Sequence, residues 1–152
     1  MKFIIIPIVV ILVFSVFKWL FSSEDSSENS LGNVTDIGPL VEGLMNSSEE
    51  HPFLIIAKLG TEDFIQFTPG TNGVQLDFPL ITERQKECEE KFIAVAEEMN
   101  LNVEKDKGSD ESNFLDINLN GTPSELTEII ATFLNKFLNV TPLTELEFSY
   151  VM

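Results

Sequence analysis

The sequence predicts an α+β fold: a two-layer sandwich of an antiparallel sheet with helices, in the order α-β-β-β-α-β-β-α, preceded by one N-terminal transmembrane helix. Three observations predict it. Residues 3–21 form an almost unbroken apolar run. Residues 53–80 hold three short apolar or alternating segments separated by turn residues. Two capping boxes, Thr82 with Gln85 and Thr122 with Glu125, then open segments whose apolar residues recur at helical spacing.

Between Phe3 and Phe21 only Ser15 and Lys18, apart from Pro7, interrupt the apolar residues. Roughly 20 such residues cross a bilayer core as a helix. Lys18 and Trp19 are expected at the membrane interface, the lysine snorkelling and the indole at headgroup depth, with Lys2 at the other end. The run closes on Lys18-Trp19-Leu20-Phe21-Ser22-Ser23 without a small-x-small cleavage site, so a retained single-pass anchor is expected over a cleaved signal peptide. Lys2 before the span and acids after it place the N-terminus in the cytoplasm and the domain outside.

The chain then divides into an anchor (1–21), an acidic Ser-rich tether (22–38) and one domain (39–152). The segment SSEDSSENSLGN carries too little apolar surface to offset its ordering entropy and reads as a flexible tether. A short helix over about 39–47 follows from Val41, Leu44 and Met45, with Pro39 in its first turn. Phe53–Leu59, Asp63–Thr68 and Gly73–Leu80 are expected as a meander; in the last, Val74, Leu76 and Phe78 alternate with Gln75 and Asp77. Phe92, Val95, Ala96 and Met99 stripe a helix over about 83–100. Strands at 101–105 and 114–119 flank the polar connection 106–113, and Leu126, Ile130, Phe133, Leu134 and Phe137 stripe the last helix. Leu146, Phe148 and Tyr150 alternate like a short final strand.

Net charge is +2 over residues 1–21, −7 over 22–50 and −11 over 51–152. A surface this acidic repels phosphate backbones, so nucleic acid is not an expected partner. The one cysteine, Cys88, sits between Glu87 and Glu89 and allows neither an intramolecular disulfide nor a thiolate metal cluster. His51 is the one histidine, so any nucleophile–base pair would have to be built on it. The acids of 106–111 lack the spacing and closing glutamate of a calcium loop. No enzyme activity, cofactor or metal is expected from these patterns. Asp77 and Asp116 are expected at exposed strand positions.

The strand Phe64-Ile65-Gln66-Phe67, the amphipathic helix after the meander, and Phe137-Leu138-Asn139-Val140-Thr141-Pro142 with Leu146 beyond resemble the YbjN/TY-chaperone group, of type III secretion chaperone-like fold, over about residues 39–150. The resemblance implies protein–protein binding, often as dimers, without chemistry of its own. This chain departs from the group's usual soluble, cytoplasmic members in its expected anchor. The function expected is a membrane-anchored, chaperone-like or adaptor domain that binds a protein partner or itself through the sheet face. Phe53, Phe64, Gln66, Val74 and Phe114 are its expected contacts; Phe53, Phe64 and Phe114 alternate opposite to Leu54, Ile65 and Leu115, so both faces of those three strands carry apolar groups. The alternative is a small accessory or structural subunit of a membrane complex acting mainly through its transmembrane helix.

Overall fold

The computed structural model describes residues 27–107 and 113–152. The expected anchor with Lys2, Lys18 and Trp19, the start of the tether (22–26), and the acidic side chains of 106–111 lie outside the described residues. Among the described residues, no helix is long and apolar enough to cross a membrane.

The described residues form an α+β architecture, a seven-stranded antiparallel sheet with four α-helices. The strands are β1 (Glu28–Gly32), β2 (Phe53–Lys58), β3 (Phe64–Pro69), β4 (Gly73–Pro79), β5 (Glu104–Lys107), β6 (Asn113–Asn120) and β7 (Leu146–Val151). Across the sheet they run β1-β7-β2-β3-β4-β6-β5. The helices are α1 (Ile37–Met45), α2 (Glu83–Glu87), α3 (Glu89–Glu98) and α4 (Pro123–Leu138).

The meander β2-β3-β4 forms as its alternation requires, and the final segment becomes β7. That strand does not trail the fold: it inserts between β1 and β2 and pairs with both. Residues 28–32, read from sequence as tether, instead form β1, which leans on β7 from Glu28 opposite Tyr150 to Gly32 opposite Leu146. Backbone pairing with a partner strand orders a segment whose composition alone predicts disorder. The expected helix over 83–100 is two helices meeting at Cys88, whose amide is shared by the Arg84 and Gln85 carbonyls.

Both capping boxes form. Thr82 and Thr122 accept from the amides of Gln85 and Glu125, and those side chains reach back to the threonine amides. Helix α4 stops at Asn139, which takes a left-handed backbone (φ 56°). Its terminal Leu138 carbonyl accepts from Lys58 Nζ at 3.1 Å, a cation at the negative end of the helix.

The core lies between one sheet face and the helices. From the sheet come Leu54, Ile56, Ile65, Phe67, Val74, Leu76, Phe78, Leu115, Ile117, Leu119, Leu146 and Phe148. At its centre Phe92 stacks on Phe78 at 5.0 Å, with Phe133 and Phe137 edge-on at 5.1 and 5.3 Å. Placing the core on one face fixes the chemistry of the other, which the described helices leave uncovered.

Candidate functional site on the helix-free sheet face

Residues directly opposite each other in antiparallel strands point to the same face. Followed from strand to strand, the register gives one continuous row on the helix-free face, one residue per strand. It runs Asn29, Ser149, Ile55, Gln66, Asp77, Asp116 and Glu104. At about 4.8 Å between strands it crosses the whole sheet, roughly 29 Å.

The row changes character along its length. At the β1 end the Ser149 hydroxyl donates to Asn29 Oδ1. Ile55 is apolar and buried. Beyond Gln66 come three carboxylates on adjacent strands, Asp77, Asp116 and Glu104. Acidic residues on three successive strands make this the negative end of the row.

Asp77 is the buried acid, 8% exposed, which corrects the expectation that it faces solvent. Its Oδ1 accepts from Gln75 Nε2 at 2.7 Å and its Oδ2 from the Thr68 hydroxyl at 3.2 Å. Each carboxylate oxygen offers two lone pairs, so one hydrogen bond leaves each with accepting capacity to spare. Gln66, opposite Asp77, is 6% exposed, and its Oε1 is buried without a hydrogen-bond partner. Among the described residues it is the one buried side-chain polar atom in that condition.

Four of the five expected contact residues lie on this face. Gln66 is in the row itself. Phe64 sits two residues from Gln66 and Phe114 two from Asp116, both on the same side of the row, while Phe53 lies on the other side, paired with Val151. All three phenylalanines are half-buried. Val74 is a correction: it is 1% exposed and belongs to the core. Its partners Pro69 and Leu119 place it in phase with Leu76 and Phe78, beneath the helices, so it has no access to a partner. Sequence reasoning missed Ile55, Ser149 and Glu104, and it named Asp77 and Asp116 together without placing them opposite each other. The alternation marked their faces, but the β4–β6 and β2–β7 pairings that align them are long-range.

The other candidate chemistry does not converge here. His51 is exposed in the α1–β2 connection, 3.9 Å from the exposed Glu50. Cys88 is a free, half-buried thiol at the α2–α3 junction. Arg84 makes a two-pronged ion pair with Asp63, at 2.8 and 2.9 Å, which raises its pKa and ties α2 to the β2–β3 connection. Among the described residues, no three His, Cys, Asp or Glu side chains are grouped to hold a metal ion. The row itself sets an apolar residue, a buried acceptor and an acidic end along one line. Comparison with protein-family models, with curated proteins and with solved structures finds no match to this chain.

Proposed function

We propose that the chain is a non-catalytic, membrane-tethered protein-binding domain, chaperone-like or adaptor in kind, that presents its helix-free sheet face to a partner. One observation carries the reading: helices pack on one face of the sheet, yet the other bears half-buried Phe53, Phe64 and Phe114 around buried Ile55 and Gln66. A sheet face serving only as a solvated surface alternates to polar residues. Aromatic groups around a desolvated centre are the composition of a binding surface. The strand motif Phe64-Ile65-Gln66-Phe67, through which the chain resembles the chaperone-like group, contributes both Phe64 and Gln66 to this face. The apolar run 3–21 supplies the tether, which confines the face to the membrane surface and raises its effective concentration there.

Site-specific photo-crosslinking in cells tests this. A benzophenone side chain in place of Phe64 is expected to give a discrete adduct that disappears on Phe53→Ala. The same probe at Glu128, on the exposed side of α4, is expected to give none. Adducts from position 128 and none from 64 would move the interface to the helical layer.

A further inference from the structure

We infer that the partner's anchor on this face is a basic side chain, seated between Gln66 and Asp77 and flanked by apolar residues that rest on the phenylalanines. The inference rests on the binding-face reading above and specifies the chemistry of the partner.

Its first support is the orphan acceptor. A buried carbonyl oxygen without a donor is uncommon, because desolvating it is costly. Gln66 Oε1 is such an oxygen, and the groups beside it in the row cannot satisfy it: Ile55 has no polar side-chain atom, and an ionised Asp77 only accepts. The missing group is a donor.

The second support is charge. Asp77 lies directly opposite Gln66, is buried, and accepts from the neutral Gln75 and Thr68, so the donor that belongs there is cationic. A guanidinium fits best, since it carries five N–H donors in a planar fork, sheds water more readily than an ammonium, and bridges separated acceptors. A metal ion fits poorly, because the described carboxylates are not grouped to ligate one. A second copy of the chain fits poorly too: it would bring an identical acidic row against this one on a protein of net charge −16. The apolar flanks follow from position, since Phe64 and Phe114 border the row on one side and Phe53 on the other.

The probe is a random twelve-residue peptide library displayed on phage and selected on the full chain held in detergent micelles. Asp77→Asn is the discriminating variant. It keeps the shape of the side chain and an acceptor for Gln75 Nε2, so it removes charge without opening a hole; circular dichroism and the unfolding midpoint verify the fold. Selected peptides are expected to share an arginine or lysine between apolar residues. Their affinity should fall on the order of tenfold or more on Asp77→Asn, and again when the peptide arginine is replaced by citrulline. Each loss should shrink when the other change is already present. Peptides that need Phe53 and Phe64 but carry no basic residue, or that bind Asp77→Asn equally well, would overturn the basic anchor and leave the binding face standing. If no selected peptide depends on Phe53 or Phe64, both readings fall. In that case, dimerisation weakened by Asp77→Asn would assign the face to a second copy. Coupled loss of stability between Lys18→Met and Asp77→Asn would assign the socket to the chain's own lysine.

Discussion

Gln66→Met should stabilise the protein while weakening its binding, and the sign of the stability change is the informative part. The native side chain buries an amide carbonyl that has no donor, at a position 6% exposed. An unsatisfied buried acceptor costs about 1–3 kcal/mol. Methionine is unbranched, of similar length, and fills irregular space at little steric cost. Against the relief stands whatever the amide nitrogen gains from its surroundings, about 1 kcal/mol for an ordinary hydrogen bond. The net is a gain of about 1 kcal/mol, which for a domain of this size raises the unfolding midpoint by about 3–5 °C. Urea unfolding of the full chain, followed by circular dichroism under identical conditions, measures it; an unchanged m-value certifies that the same surface is exposed on unfolding. A loss of 1 kcal/mol or more would refute the reasoning. It would mean that the carbonyl is satisfied in solution, and the case for an incoming donor would go with it.

Two further outcomes follow from the structure. A Cβ at Gly73 would overlap the Leu119 carbonyl oxygen on the neighbouring strand; Gly73→Ala should therefore cost about 3 kcal/mol or more by forcing β4 and β6 apart, visible as a depressed midpoint with early exchange of β6 amides. The Glu125 carboxylate accepts from the Thr122 amide at 2.8 Å, and that bond, with the Thr122 hydroxyl, holds its pKa below the ordinary glutamate value. Because the folded value is the lower one, the stabilisation is present above about pH 4.3 and is lost as pH falls through the folded value. The wild-type advantage in midpoint over Glu125→Gln should thus be open at pH 7 and close in strong acid; a gap independent of pH would exclude the carboxylate charge as its source.

Local chemistry made most of the elements legible. The meander followed from alternation and from the turns at Gly60 and Pro69–Gly73, and the helix starts followed from their capping boxes. What failed to show was long-range. Nothing in Glu-Asn-Ser-Leu-Gly announces a strand; β1 exists because β7 offers it a backbone ladder, and β7 is interior because β1 covers its other edge. Val74 went to the wrong face for a related reason. In β4 the alternation sets Val74, Leu76 and Phe78 against Gln75 and Asp77 without saying which of the two faces meets the helices. Only the register with Pro69 and Leu119 decides it. Asp77 misled in the opposite direction, since a polar residue in an alternating strand normally marks the wet side, whereas here it is buried.

That burial bears on why the row is there at all. A buried carboxylate inside a sheet, beside an unsatisfied amide oxygen, works against folding on both counts. The fold does not need it: the helix-packed face already supplies a closed aromatic core, and an apolar or hydroxyl side chain at 66 or 77 would keep the strand. On the binding-face reading proposed above, groups that oppose stability inside a sheet are accounted for by what they do when a complementary group arrives. On that reading, a donor with positive charge supplies a counter-charge for Asp77 and the missing hydrogen bond together. Binding and stability are therefore set against each other at Gln66, and a single substitution there should move them in opposite directions.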